Sequence, residues 1–317
     1  MKKCDVICIG NAAVDVPLSP VSPEIFNYDS YAIDRIVLQP GGSGNNVAII
    51  LARMGVSTKL VTLLGKDLLG DFLIENCRQN KVDTSAIICS DDVDTPLSIG
   101  LVRNDGERGF VVSRHSSTFA FQASHIDCQL FSDAKILMFS SIFIMPKFNE
   151  AGLIQIFSTA KKANMIVCAD MMRSRTGERI DAIVGALPYI DYFFANREEA
   201  AFLTGEEHEV DMARKLMDAG VKNVLIKDGK RGCFIFNGDG GQTIPAFRNE
   251  HPVDTIGAGD NFAAGFVAAL LDGYSFAEAA RFANATAAIS VSAAGSTGGV
   301  KNKQQVCEIL SSAENRS

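Results

Sequence analysis

The residues that read most directly as chemistry lie between Asp254 and Phe266, in the stretch DTIGAGDNFAAGF. Gly257, Ala258 and Gly259 are small residues set immediately before an acid, Asp260, and an apolar run of helical period. Glycines cost backbone entropy, so such a run needs a reason. One reason is a turn feeding a helix, with Asp260 as cap or first-turn acid. The other is an anion site, because bare N–H groups at a helix N-terminus point at a phosphate. A carboxylate beside a phosphate is repelled by it unless it has a task. Taking a proton from a hydroxyl is such a task.

Other polar residues stand at the ends of strand-like runs. In QPGGSGNNVAIILARMG, Gly41, Gly42 and Gly44 precede a helix start at Asn45 or Asn46. Gly42 would let a ligand approach the backbone, and Asn46 could hydrogen-bond a polyol. Neither G-x-x-x-x-G-K-[ST] nor, after the first strand (IGNAAVD), G-x-G-x-x-G occurs, which removes the two commonest nucleotide motifs. Asp15 sits just past the first strand's carboxyl end, where open α/β sheets bind ligands, although a loop acid or cap also explains it. Asn196 and Glu199, three apart in NREEAAFLTG, share one face of a first helical turn and either orient a hydrated metal or cap the helix. Lys227, Asp228 and Gly229 end another strand, bordering a nucleotide or forming a solvated turn. Arg114 and Arg173 each follow a strand-like run, where a guanidinium suits carboxylate or phosphate recognition, or a surface ion pair. Asp254, six residues before Asp260, reads as a turn acid.

These residues need a scaffold. CDVICIG, TKLVTLLG, AKILMFSS, NMIVCAD, DYFFAN and NVLIKDG are short apolar runs without polar alternation, interspersed with helix-period segments. That pattern predicts strands buried on both faces, in a parallel sheet flanked by helices, and hence an α/β fold. Ala-rich faces in DNFAAGFVAALLDG and SFAEAARFANATAAISVSAAG predict closely packed helices. Two segments, 14–40 and 97–121, break the alternation. YAIDRIVLQP and LSIGLVRNDGERGFVVSR read as β without crossover helices, with a hairpin turn at Asn104-Asp105-Gly106. They are expected to meet as a small sheet over the active face, or to stand as separate surface hairpins. There is no internal repeat, and the tail SSAENRS is expected to fray.

Composition sets the boundaries. The chain has 317 residues, 47% hydrophobic and 21% charged, which is ordinary for a globular protein. A net charge of −7 without a Lys/Arg-rich run argues against nucleic acid as partner. The opening MKKCDVICIG is too short for a signal segment, and no run is long enough to span a bilayer, so no membrane partner is expected. None of the eight cysteines forms a C-x-x-C pair, and reduced core thiols in a cytoplasmic protein are the expectation. The four histidines are too scattered to suggest a metal site.

Taken in order, GGSGNNVA, GKDLLGDF, NREEAAFLTG and VDTIGAGDNFAAGF resemble the motifs of the ribokinase-like, or PfkB-type, carbohydrate kinases. The resemblance runs from Val6 to about Lys301 and implies a three-layer sandwich with a mainly parallel central sheet and a small β lid. It implies one kinase domain over residues 1–317, with lid segments near 14–40 and 97–121 that often mediate dimers. Asp260 would then be the catalytic base, and Gly257, Ala258 and Gly259 the anion hole. Asp15, Gly42 and Asn46 match sugar-binding positions, and Asn196 and Glu199 the motif that positions Mg²⁺ and phosphate. Lys227, Gly229 and Asn284 fall where such enzymes line the ATP groove. The resemblance further implies K⁺ held by Asp254, the carbonyl of Ile256 and the loop Ser290 to Ser296. The expected reaction is transfer of the γ-phosphoryl group of ATP to a hydroxyl, expected to be a primary one, of a monosaccharide or derivative.

The chain also departs from the family pattern. Ser43 stands where some ribose kinases carry Lys, and CADMMRSR has Asp170 and Arg173 without the Asn of D-x-N-x-R. Ser140 and Ser141 replace an acidic sugar contact of ribose kinases. These departures point away from ribose itself. Two alternatives stay open: a nucleoside kinase using Phe110, Phe119 or Phe121 for stacking, and a sugar sensor without turnover.

Overall fold

The apolar runs build one eight-stranded sheet in the computed structural model, which describes residues 4–105, 107–238, 240–249 and 252–314. From one edge its order is Thr58–Val61, Val6–Ile9, Ile136–Ile142, Ile166–Met171, Tyr192–Asn196, Asn223–Lys227, Cys233–Asn237 and Gly240–Ile244. The first six strands are parallel; Cys233–Asn237 runs against them, and Gly240–Ile244 pairs antiparallel with Cys233–Asn237. The register explains the lack of polar alternation. Ile7, Ile9, Leu137, Phe139, Val167, Phe193 and Val224 pack on one face, against helices Glu150–Lys162, Arg197–Thr204 and Glu209–Asp218. Val6, Cys8, Met138, Cys168, Phe194 and Leu225 pack on the other, against Ser43–Arg53, Ala258–Leu271 and Phe276–Ser290. Both faces are apolar because both are covered.

The alanine-rich helices do approach closely. A Cβ on Gly265 would stand 2.4 Å from Thr286 Oγ1 and 3.2 Å from Ala283 Cα, so the two helices meet almost backbone to backbone. Five of the eight cysteines are buried and all eight are unpaired. No described helix is long and apolar enough to cross a membrane.

Strands from the two irregular segments join a second sheet, ordered Gln39–Gly41, Ala13–Leu18, Leu97–Val102 and Arg108–Val112. The hairpin expected at Asn104-Asp105-Gly106 is present as an antiparallel pair, although Gly106 lies outside the described residues. One expectation fails. Residues 31–38 form no ladder; the chain runs from a short 3₁₀ turn, Pro23–Asn27, to the three-residue strand Gln39–Gly41. Its alternating Ile36 and Leu38 mimic a half-buried strand but stand 66% and 48% exposed, with no partner strand to define a buried face. The tail differs too. The last helix, Lys303–Glu314, continues through Ser311 and Ser312, and residues 315–317 are outside the described chain.

The sheet's geometry delivers the polar residues to one end. Asn11, Asp170, Asn196 and Lys227 lie at or just past the carboxyl ends of parallel strands, the position where ligands bind such sheets.

Candidate active site

Gly257 caps the helix Ala258–Leu271 with φ +75°, a left-handed conformation that favours glycine. A Cβ there would also stand 2.6 Å from both the Cα and the carbonyl oxygen of Ser296. The turn therefore requires glycine twice over, for its dihedral and for its packing. Ala258 N–H turns back to the Thr255 carbonyl at 3.3 Å, whereas those of Gly257, Gly259 and Asp260 have no hydrogen-bond partner among the described residues. Open N–H groups at the start of a helix form an electropositive seat for an anion. The Lys227 ammonium lies beside it, 3.0 Å from where a Gly259 Cβ would be.

Asp260 follows on the same turn. Asn46 Nδ2 donates to its Oδ2 at 2.7 Å, across 214 residues of sequence. Burial pushes the Asp260 carboxyl above the ordinary range, while the Asn46 amide, the Lys227 ammonium and the Ser43 hydroxyl pull it back. Burial raises Asp15 to about 6, opposed by a Ser98 hydrogen bond and assisted by the nearby Asp260 charge. Asp170 is raised to about 7, first by burial and then by the Asp260 and Glu199 charges, against Lys227 and the Ser141 N–H. The strand register shifts between Ala169 and Met171, and Ser141 has φ +63°; this irregular pair sets the Ser141 N–H on Asp170 Oδ1. Asp170, Glu199 and Asp260 thus share the Lys227 ammonium, while Asp15 feels the Asp260 charge from the other side.

Asn196 and Glu199 form a reciprocal capping box. The Glu199 N–H donates to Asn196 Oδ1 at 2.8 Å, and the Asn196 N–H donates to Glu199 Oε2 at 2.7 Å. Capping does not exclude a role at the site, since both residues line the cleft. Burial raises the Glu199 carboxyl, opposed by Lys227.

Two cavities meet at Asp260. The larger, about 430 Å³, is walled by Asn196, Glu199, Lys227, Gly229, Asn284 and the Gly257–Gly259 turn. The smaller, about 290 Å³, lies beneath the second sheet and takes in Asp15, Gly42, Asn46, Ser98, Phe110 and Phe119. Only Ser43, Met172, Gly257 and Asp260 line both. An elongated ligand in one cavity and a polyol in the other would have their nearest ends at the same carboxylate.

A family model for the pfkB family of carbohydrate kinases matches residues 3–303. The chain belongs to that family. A probable chloroplastic fructokinase-6 of Arabidopsis thaliana is 28% identical over 321 residues, covering 96% of this chain and 82% of the relative. A ribokinase of Thermotoga maritima superposes with a TM-score of 0.83 at 25% identity, over 97% of this chain and 99% of that one. The ribokinase of Arabidopsis thaliana, solved with ribose and ATP, gives 0.84 at 23% identity over 97% and 98%. The fold is therefore ribokinase-like, and the chain is a carbohydrate kinase, a phosphotransferase with an alcohol acceptor.

As a family member the chain brings most of the expected residues to the two cavities, but Arg114, Arg173, Phe121 and Asp254 line neither. Arg114 is exposed and lines neither cavity. Arg173 lies with its guanidinium 4.5 Å over the Phe202 ring, also outside them. The cation at the smaller cavity is Arg175, which the sequence reading passed over. Ser174 explains the shift: its hydroxyl accepts the N–H groups of Thr176, Gly177 and Glu178, curling the loop so that Arg173 and Arg175 diverge. Phe121 is 1% exposed and packs edge-on to Phe148, so it cannot stack on a ligand.

Two expected residues hold the walls. Asn284 Nδ2 donates to the Ile244 and Pro245 carbonyls at 3.0 and 3.2 Å, tying its helix to the edge of the larger cavity. Asp254 bridges two loops, accepting the Ile256 N–H at 2.9 Å and the Gly295 N–H at 3.0 Å. Asp67 of the GKDLLGDF motif is structural, accepting the Gly70 and Thr95 N–H groups at 2.8 Å each and so fixing the base of the second sheet.

Proposed function

We propose that the chain is an ATP-dependent sugar kinase that transfers the γ-phosphoryl group to a primary hydroxyl of a monosaccharide or sugar derivative. The observation that carries this reading is Asp260 at the junction of the two cavities, directly behind a turn of open N–H groups. ATP occupies the larger cavity and the sugar the smaller one, held by Asp15, Asn46 and the backbone at Gly42. Asp260 accepts the hydroxyl proton as the new O–P bond forms and the bond to the ADP oxygen breaks. The Gly257–Gly259 turn, the Asp260 N–H and Lys227 face the charge spread over the transferred group, and positioning supplies most of the remainder.

A hydrated Mg²⁺ fits beside Glu199, because Oε2 is held by the Asn196 N–H and the second carboxylate oxygen is left for a water. Such an ion supplies charge neutralisation along the phosphates. The second sheet serves as the lid of a single domain over residues 1–317. Its exposed Phe110 and Val111, with Phe26, Ile36 and Leu38 in the preceding segment, suit a lid-to-lid homodimer. A cytoplasmic location accords with eight unpaired thiols.

The test is a panel of sugars, sugar acids, sugar phosphates and nucleosides assayed for Mg²⁺-ATP-dependent product. Nucleosides belong in it because Phe110 and Phe119 line the smaller cavity and offer stacking faces. Turnover only with nucleosides would replace the sugar reading, and tight binding of one compound without transfer would favour a sensor. Arg175 suits an acceptor bearing a carboxylate or phosphate. Against such an acceptor, Arg175→Ala should raise KM about tenfold or more with little change in kcat, a loss comparable to a charge-assisted hydrogen bond. An unchanged KM would remove the acidic acceptor from consideration.

Potassium activation is part of the proposal. Asp254 and the Ile256 carbonyl form an oxygen donor set suited to a hard cation, and Asp254 already joins the anion turn to the 290–296 loop. Replacing Na⁺ by K⁺ at constant ionic strength should raise kcat and the thermal midpoint, and Asp254→Ala should abolish both responses. Equal values in the two salts would leave Asp254 a purely structural acid.

A further inference from the structure

Asn46 and Asp260 are joined by a third residue, Ser296, whose link to them the sequence did not indicate. Ser296 Oγ donates to Asn46 Oδ1 at 2.9 Å, and Asn46 Nδ2 donates to Asp260 Oδ2 at 2.7 Å. Ser296 and Asn46 are 5% and 4% exposed, so water cannot substitute freely for either bond. The serine is itself fixed. Asn261 Nδ2 donates to both the Ser296 and Gly257 carbonyls at 2.8 Å, and Gly257 packs against the Ser296 backbone.

An asparagine amide has two unlike ends of nearly equal size. With the N–H end toward Asp260 it stabilises the carboxylate, the form able to accept a proton. With the carbonyl end toward Asp260, two acceptors would meet at hydrogen-bond distance, and the carboxyl would be stable only when protonated. The first orientation leaves Oδ1 buried, where it needs a donor. The Ser296 hydroxyl is that donor, and by polarising the amide it strengthens the N–H that Asp260 receives.

We propose that Ser296 is a positioning residue for phosphoryl transfer, acting through Asn46 to hold the base in its proton-accepting form. The proposal rests on Asp260 being the base. Ser296→Ala removes only the hydroxyl and leaves the backbone carbonyl that Asn261 holds, so the fold is retained, which circular dichroism checks. With the best acceptor from the panel, Ser296→Ala should lower kcat about tenfold with the KM for ATP unchanged, on the order of one lost buried hydrogen bond. Ser296→Thr, which keeps a hydroxyl, should recover most of that loss.

The deciding measurement is a double-mutant cycle with Asn46→Ala. If Ser296 works through Asn46, the double variant should match Asn46→Ala alone within about twofold. Additive losses, a Ser296→Ala rate equal to wild type, or a Ser296→Thr rate no better than Ser296→Ala would overturn the proposal. Asp260→Asn run alongside separates the two ideas: near-normal turnover there refutes the base, whereas failure of the cycle alone refutes only the role of Ser296.

Discussion

Asp260→Asn should bind sugar and ATP yet lose kcat by about 10²–10⁴-fold, the usual cost of removing a general base. The substitution is nearly isosteric, and its side-chain carbonyl can still accept the Asn46 Nδ2 hydrogen bond that the carboxylate accepts at 2.7 Å. The geometry of the junction between the cavities therefore survives while the proton acceptor is lost. Electrostatics makes the binding half of the prediction distinctive. The wild-type carboxylate sits within the influence of Asp15, Asp170 and Glu199, each of which it affects. Removing that charge lessens the repulsion felt by an incoming triphosphate, so ATP affinity should hold or improve as turnover collapses. Calorimetric titration with a non-hydrolysable ATP analogue, beside steady-state rates, separates the two effects. Turnover within tenfold of wild type would remove Asp260 from the proton transfer.

How much of this was legible in the sequence follows from what each feature depends on. The parallel sheet was readable because runs such as VICI and ILMFSSI are apolar on both faces, and burial on both faces is what puts them in the middle of a sandwich. The turn at Gly257 was readable because backbone shape and helix start are local properties. The segment 31–38 misled because alternation marks a strand only when a neighbour defines the buried face, and none is present among the described residues. Contacts between distant segments were out of reach: Asn46 and Asp260 are 214 positions apart, and Ser296 and Asn46 are 250. Asp170 read as the end of a strand, yet the register shift beside it and the Ser141 N–H make it part of the cleft wall. The exchange of Arg173 for Arg175 was equally hidden, since one hydroxyl, that of Ser174, sets which of two nearby arginines reaches the cavity.

Gly257→Ala should be nearly as damaging as loss of the base, by a different route. At φ +75° an L-residue is strained, at a cost of roughly 1–2 kcal/mol. The packing conflict is harder to relieve, because the new methyl would stand 2.6 Å from the Cα and carbonyl oxygen of Ser296, backbone atoms that cannot rotate away. Either the turn or the 292–296 loop must shift. If the turn moves, the open N–H groups of Gly257, Gly259 and Asp260 no longer converge on the transferred phosphoryl group. If the loop moves, Ser296 leaves Asn46 and Asp254 loses the Gly295 N–H. Loss of one preorganised donor of this kind costs on the order of 10²–10³ in kcat. The expected result is thus a kcat lower by about 10²-fold or more, with a modest fall in thermal midpoint and a smaller change in the KM for the sugar, whose cavity is built mainly from other elements. Activity within tenfold of wild type, in a variant shown to be folded, would mean that the turn does not face the transferred group and that charge stabilisation falls to Lys227 and the bound cation instead.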